Sequence, residues 1–141
     1  MIIEYTYLDK NNKKGSGMST VNIIDSYLDF HPGWLFIRDS LPEKFQDSYM
    51  NQSNSLYKIH SFNEKPAVII KNNKNEIKII EYFKEGFNHR DNGPSIQIKT
   101  KKYNKIMFHL NGNSYLPYKF AEETNHLICK SCRTFCKQCC F

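Results

Sequence analysis

The sequence predicts an α+β fold that is mainly β, with an antiparallel sheet of repeated β-hairpins, short flanking helices and a Cys-rich C-terminal tail. Three observations lead to this prediction. Short runs of alternating apolar and polar residues recur between Asn- and Gly-rich turns, and part of this pattern repeats. Ile, Tyr and Phe, which favour strands, are abundant, whereas Ala occurs only twice. All five Cys lie between residues 129 and 140.

The first half of the chain predicts strands, short helices and one long polar loop. Residues 2–8 alternate as a strand does, and Thr20 is placed to cap a following helix. The apolar run WLFIR predicts a short strand in which Trp34 is a core anchor. In chain order the predicted segments are a strand over 2–8, a polar loop over 9–17, a helix over 21–30, a strand over 34–38 and a helix over 44–50.

The second half predicts five strands joined by tight turns, followed by a helix. Residues 72–75 (NNKN) and 84–86 (KEG) are of the types that turns require. Asn111-Gly112 is the strongest hairpin signal in the chain. The predicted segments are strands over 56–62, 67–71, 77–83, 95–100 and 105–110, and a helix over 118–128.

Two spacings indicate a repeat in the middle of the chain. The segment KPAVIIK, residues 65–71, is matched by GPSIQIK, residues 93–99, and their prolines are 28 residues apart. Gly86 and Gly112 end two similar segments and are 26 residues apart. A period of this size holds two strands and two turns and is typical of repeat architecture. Because the units are few, the flanking segments are expected to cap the array.

The best-preserved unit reads YFKEG over residues 82–86, then His89 and Arg90, then Gly93 and Pro94. In this order it resembles the MORN repeat or one of its degenerate variants. It is also similar to the HR-x-D/N-GP form found in phage and large-virus proteins. The resemblance covers roughly residues 56–118. It implies a β-hairpin scaffold and a viral or phage accessory protein that antagonises a host defence.

The polar cluster of this unit has two interpretations. His89, Arg90 and Asp91 stand together as the residues of an active loop do. Turn chemistry also accounts for them, because Gly93 permits positive φ, Pro94 fixes φ where a strand begins and Asp91 can bond nearby backbone. We therefore predict that the cluster shapes a turn, and a ligand site is the alternative.

We expect one β-rich domain over residues 1–118, with hairpin repeats at 56–118, and a C-terminal helix and Cys-rich tail over 119–141 packed on it. No run approaches the ~18 apolar residues of a membrane helix. The N-terminus MIIEYTYLDK lacks the long apolar core of a secretory signal. These features predict a cytoplasmic protein that does not use a membrane; if the resemblance holds, it acts inside an infected host cell.

The net charge of +6 is distributed unevenly. Residues 1–70 carry seven Lys/Arg against eight Asp/Glu, whereas residues 71–141 carry thirteen against six. A basic half predicts an anionic partner, which is an acidic protein, a nucleoprotein or a nucleic acid. The predicted binding residues in the strands are Lys99, Lys101, Lys102 and Lys105. The alternative is a solvated Lys-rich surface that only aids solubility.

The tail HLICKSCRTFCKQCCF contains two C-x-x-C pairs, which predict a metal site because thiolates on tight turns can converge on one tetrahedral Zn²⁺. The predicted ligands of one structural zinc are Cys129, Cys132, Cys136 and Cys139, and Cys140 is left over. Only three residues separate the pairs, so two alternatives stay open. One is a thiol-lined helix face packed on the core, and the other is a metal shared across a dimer.

Basic residues lie between the thiols. Lys130, Arg133 and Lys137 are therefore predicted to extend the binding surface into the tail. Basic and aromatic residues on a zinc knuckle suit single-stranded nucleic acid, and they suit a protein partner equally well.

Three functions are compatible with these features. The preferred one is a non-enzymatic binding protein, a viral or phage accessory protein that binds and inhibits a host protein or nucleoprotein through a basic surface. The alternative is a zinc-containing nucleic-acid-binding protein. A small Cys/His-dependent enzyme is third, because the sequence contains no Gly-rich phosphate loop and no nucleophile elbow. The oligomeric state stays open, and a dimer is one option.

Overall fold

The computed structural model describes residues 1–24, 27–28, 35–50, 56–102 and 104–124. Within these ranges the protein is mainly β, as the sequence predicts. The strands are β1 (Ile2–Leu8), β2 (Lys14–Thr20), β3 (Lys58–Ile59), β4 (Val68–Lys71), β5 (Ile77–Glu81), β6 (Phe83–Lys84), β7 (Phe87–Asn88), β8 (Ile96–Lys99), β9 (Asn104–Leu110) and β10 (Asn113–Tyr115). The helices are α1 (Leu35–Ser40), α2 (Glu43–Tyr49) and α3 (Pro117–Thr124). No helix in this described part has the length and apolar character needed to cross a membrane.

The strands form an antiparallel sheet of eight strands and a separate two-stranded ribbon. The order along the sheet is β10, β9, β8, β5, β4, β1, β2, and β3 pairs with the end of β1. Strands β6 and β7 form the ribbon. The hairpin predicted at Asn111-Gly112 is confirmed, since it joins β9 to β10 with φ of 51° and 84° at the two central residues. Positive φ at both positions is what a two-residue type I′ turn requires.

One face of the sheet carries the main core. Ile3, Ile70, Ile79 and Ile98 are register partners on four adjacent strands, and all four are buried. Each such side chain contributes about 1.5–3 kcal/mol through burial. Helices α1 and α2 cover this face with the buried side chains of Ile37, Leu41, Phe45 and Tyr49.

Helix α3 covers the opposite face of the sheet at its β9 end. Phe108 follows Met107, whose partner Ile96 faces the main core, so the Phe108 side chain lies on the other face. Phe120 and Ala121 are buried against it, and the ring centroids of Phe108 and Phe120 are 4.9 Å apart. The start of the C-terminal segment is therefore anchored on β9.

Residues 14–20 form strand β2, so the prediction of a polar loop over 9–17 is wrong beyond residue 13. The glycines of this segment are the reason. Gly15 and Gly17 pair with Tyr7 and Tyr5 across the hairpin, and a Cβ at either glycine would lie 2.4 Å from the opposite ring. The glycines thus let two aromatic rings lie across a strand, a packing that turn propensity does not reveal.

Residues 35–40 are helical, so the strand predicted over 34–38 is wrong. A short apolar run has no period that separates a buried strand from a buried helix. Ile37 and Leu41 are buried at the helical spacing of four, and the Leu41 N–H donates to the Ile37 carbonyl at 3.2 Å. Residues 21–24 are also not helical, so Thr20 ends β2 and does not cap a helix there. Trp34 lies outside the described residues.

The two spacings found in the sequence correspond to equivalent positions in the sheet. The Ala67 N–H donates to the Glu81 carbonyl at 2.8 Å, and the Ser95 N–H donates to the Met107 carbonyl at 2.9 Å. The two donors are 28 residues apart and the two acceptors 26, as are the prolines and the glycines. The β4–β5 and β8–β9 hairpins are therefore copies of one unit.

Strand β1 begins an earlier copy of the same unit. The His60 N–H donates to the Thr6 carbonyl at 3.1 Å, just as the His89 N–H donates to the Tyr82 carbonyl at 3.1 Å. Residues 9–57, which include β2, α1 and α2, are inserted within this copy. The insertion supplies the helices that cover the core, and so the flanking cap expected of a short array comes partly from inside its first unit.

Candidate functional site

Two histidines occupy the same position in successive units and hold the next turn. His60 Nδ1 accepts a hydrogen bond from the Glu85 N–H at 2.9 Å, and His89 Nδ1 accepts one from the Asn111 N–H at 2.8 Å. Glu85 and Asn111 are the first central residues of tight turns, with φ of 48° and 51°. Each imidazole therefore closes the hairpin turn of the unit that follows it.

The hydrogen bonds fix the tautomer of His89. Because Nδ1 is an acceptor, the ring proton is on Nε2, which lies 3.0 Å from Asp91 Oδ1. The His89 side chain is 9% exposed, whereas that of Asp91 is 82% exposed. A partner so exposed to water contributes little stability, so the chief effect of Asp91 is to orient the ring.

His60 is held in its neutral form. Burial lowers the pKa of His60; the neighbouring Glu85 opposes this shift and Lys84 adds to it. The neutral ring keeps the lone pair on Nδ1 that accepts the Glu85 N–H. A proton on Nδ1 would remove this acceptor, so the turn after β6 depends on the unprotonated ring.

Arg90 shapes the segment that connects β7 to β8. Its Cζ lies 4.0 Å from the centre of the Tyr82 ring, and its Nη1 donates to the Pro94 carbonyl at 3.2 Å. Its Nε donates to Asn92 Oδ1 at 3.3 Å. A Cβ added at Gly93 would come within 3.1 Å of the guanidinium, so glycine makes this packing possible. The members of the polar cluster thus bond one another and the loop backbone, as a structural turn requires.

A shallow groove of about 280 Å³ lies between the two histidines. Its charged lining is balanced, with Lys84 and Arg90 against Glu64 and Asp91. Arg90 and Asp91 are also engaged within the loop, as described above. The groove therefore presents no net charge that would select one class of ligand, and we assign these residues to the scaffold.

Ser95 and His109 form a buried polar pair that has the composition of a catalytic dyad. Ser95 Oγ lies 2.6 Å from His109 Nδ1 and 3.1 Å from the Met107 carbonyl oxygen. Ser95 is 0% exposed, and burial lowers the pKa of His109. A serine without exposed surface cannot reach a substrate carbonyl, so this pair satisfies buried polar atoms of β8 and β9.

Glu81 and Tyr49 form a second buried pair. The Tyr49 hydroxyl donates to Glu81 Oε2 at 2.7 Å and joins α2 to β5 across the main core. Burial raises the pKa of Tyr49 well above its usual value, and the Glu81 carboxylate raises it further. The hydroxyl therefore stays protonated and remains a donor. The alternation of β5 places Glu81 on the same face as Ile79, which explains how a carboxylate comes to lie in the core.

The predicted lysines of the strands lie around one exposed hairpin tip. Lys99 ends β8, Lys101 and Lys102 are in the connecting segment, and Lys105 is in β9. All four are exposed. Residues 92–121 contain no Asp or Glu. The name basic tip is used below for Lys99, Lys101, Lys102 and Lys105.

The predicted residues of the tail lie outside the described residues. They are the proposed ligands Cys129, Cys132, Cys136 and Cys139 and the proposed binding residues Lys130, Arg133 and Lys137. Within the ranges that the structure describes, no three His, Cys, Asp or Glu side chains come together as a metal site requires. The zinc therefore stays a prediction from the sequence.

Sequence reasoning missed the way in which the histidines act. The signal was present, because both His60 and His89 precede a proline and a strand in their copies of the unit. What the sequence does not show is which main-chain donor each imidazole meets, since Glu85 and Asn111 lie 25 and 22 residues further along the chain.

Comparison of the chain with family models, with curated proteins and with solved structures finds no match. Function is therefore argued from the geometry and charge of the protein itself.

Proposed function

We propose that this protein is a non-enzymatic binding protein that engages an acidic surface of a protein or nucleoprotein partner through the basic tip. The observation that carries the proposal is the clustering of four exposed lysines within seven residues, in a 30-residue stretch without any acid. Charges of one sign grouped on one surface steer an oppositely charged partner toward it and favour a defined orientation.

The scaffold beneath the basic tip supports this role. Strand β8 is paired on both sides, with β5 and with β9, and Ile96 and Ile98 are buried in the main core. Binding residues on loops are effective when a rigid framework positions them. The tip is thus an exposed turn on one of the best-supported hairpins of the sheet.

The resemblance to the HR-x-D/N-GP repeat supports the biological setting of the proposal. On that resemblance, the protein is a viral or phage accessory protein that binds and inhibits a host component. The histidine-held turns fit a scaffold role for the repeat, and this leaves the basic tip as the contact surface.

A charge-neutralising variant tests the proposal. The tip variant carries Lys→Gln at the four lysines of the basic tip, which lowers the net charge from +6 to +2. The scattered variant makes the same change at four other exposed lysines: Lys10, Lys44, Lys84 and Lys119. Partner recovery from a host lysate is measured for each. We expect the tip variant to lose the partner at least tenfold and the scattered variant to retain it. Equal loss from both variants would show that only net charge matters.

A nucleic-acid partner is the second candidate, and it is favoured by the same acid-free stretch. Binding to an oligonucleotide would fall steeply between roughly 50 and 200 mM salt, because lysines displace condensed counterions. The tail bears on this candidate through its metal. Stoichiometric zinc in the purified protein, lost on Cys129→Ser with Cys132→Ser, would favour it. Oligonucleotide binding that is absent at low salt would exclude it.

A further inference from the structure

Strand β2 is an exposed edge of the sheet with its main chain available along seven residues. It pairs with β1, and no other described strand lies beside it. The flanking bonds set its orientation, since the Val21 N–H donates to Met1 and the Asp9 N–H donates to Lys13. In an antiparallel pair the bonded residues alternate, so odd-numbered residues of β2 bond to β1. The N–H and C=O groups of Ser16, Met18 and Thr20 therefore point away from the sheet.

The side of this edge that faces the main core is lined by aromatic rings. Gly15 and Gly17 have no side chains, and the Tyr7 and Tyr5 rings lie across them at 2.4 Å from where a Cβ would be. An added strand would therefore meet the rims of two tyrosines directly. Edge strands are usually protected by charged side chains, proline or bulges. In β2 the three residues with outward-pointing groups are two hydroxyl residues and one methionine.

The other side of the edge contains the largest groove among those lined by described residues, about 530 Å³ in volume. Small side chains, those of Ser16, Thr6 and Ala67, alternate in it with the larger Met18, Ile69 and Pro66. Met18 is 65% exposed. A large apolar side chain placed opposite Ser16 on an added strand would lie over small residues and enter this groove.

The charge beside the edge is positive. Lys10, Lys13 and Lys14 are exposed at the turn end of β2. The acid in this turn, Asp9, accepts hydrogen bonds from the Asn11 and Lys13 N–H groups at 2.8 and 2.9 Å and is thereby committed to the turn.

Within the groove the one carboxylate is also engaged. Glu4 pairs with Lys71 at 3.1 Å, and the remaining charged residue of the lining is Lys65. The edge and its groove thus complement a strand that carries carboxylates near the turn end of β2.

We propose that β2 docks an extended segment of a partner protein, which adds to the sheet as an antiparallel strand. Main-chain bonds supply affinity in this mode and alternate side chains supply specificity. The same-face positions of the segment lie opposite Met18, Ser16 and Lys14 in turn. The segment therefore reads apolar, any, large apolar, any, acidic. This surface is separate from the basic tip, and the two proposals stand independently.

The test uses a short fluorescent peptide that alternates threonine with valine, phenylalanine and glutamate in that order, at 150 mM salt. Met18→Pro removes one outward donor and none of the β1–β2 bonds. Met18→Thr is its matched control, since it keeps the donor. We expect Met18→Pro to weaken binding at least tenfold and Met18→Thr no more than about threefold. Ser16→Glu, which places a carboxylate at the mouth of the groove, should weaken binding at least fivefold without altering the strand.

Amide hydrogen exchange of the parent protein locates the contact. Peptide should slow exchange at Ser16, Met18 and Thr20 and leave Gly15 and Gly17 unchanged. The tip variant should bind the peptide within twofold of the parent, which separates this proposal from the function proposed above. Peptide binding that survives Met18→Pro and Ser16→Glu overturns the proposal. So does a dimer that Met18→Pro converts to monomer, because a second copy would then occupy the edge.

Discussion

Replacing His89 with alanine tests whether the imidazoles hold the hairpin array together. The Asn111 N–H would lose an acceptor that lies 2.8 Å away. A partly buried donor without a partner costs about 1–3 kcal/mol. Loss of the ring, which is 9% exposed, removes roughly 1 kcal/mol of burial at about 25 cal/mol per Å². We therefore expect His89→Ala to lower the free energy of unfolding by about 2–4 kcal/mol.

Urea unfolding followed by circular dichroism measures this change, and the m value should stay constant while the midpoint falls. The matched control is Asp91→Ala. It removes the exposed partner of the other ring nitrogen and leaves the Nδ1 acceptor in place. Its cost should stay below about 1 kcal/mol. If His89→Ala costs no more than Asp91→Ala, the imidazole does not support the turn and the account of the repeat is wrong.

Three further predictions concern stability. Glu85→Asn should raise the free energy of unfolding by about 0.5–1 kcal/mol in urea, because Asn tolerates the positive φ of 48° better than Glu; a loss of stability would contradict this. Tyr49→Phe should cost about 2 kcal/mol in thermal unfolding by removing a donor to a buried carboxylate, whereas the exposed Tyr118→Phe should cost almost nothing. Burial lowers the pKa of His60 and His109 below the ordinary value near 6.5, so the unfolded chain binds protons that the folded chain does not. Stability should be full above that value and fall as the pH drops toward the folded pKa values, and a profile that is flat from pH 7 to pH 5 would refute the assignment.

The periodic parts of the fold could be predicted from sequence because strand alternation and turn chemistry are local. Strand β1, the helix that begins near Lys44 and the hairpin at Asn111-Gly112 all follow from residues close together in the chain. Strand β2 could not be predicted in this way. Its glycines match turn propensity, and only the tyrosines of β1 across the hairpin make them a strand.

The candidate sites divide along the same line. The lysines of the basic tip were identified from the sequence, since charge clustering is visible without a fold. The buried Tyr49–Glu81 pair joins residues 32 positions apart, and no local pattern indicates that the glutamate meets a tyrosine of a helix. Long-range hydrogen bonds of this kind are set by how the inserted helices pack on the sheet.

The central claim is that the basic tip is the contact surface, and residue-resolved NMR titration tests it most directly. Isotope-labelled protein is titrated with an acidic polypeptide, and in parallel with a single-stranded oligonucleotide, at moderate salt. The account predicts that amide shifts concentrate within residues 99–105 and disappear in the tip variant, with the acidic polypeptide giving the stronger response. Shifts spread evenly over Lys10, Lys44, Lys84 and Lys119 would contradict it, because binding would then follow net charge alone.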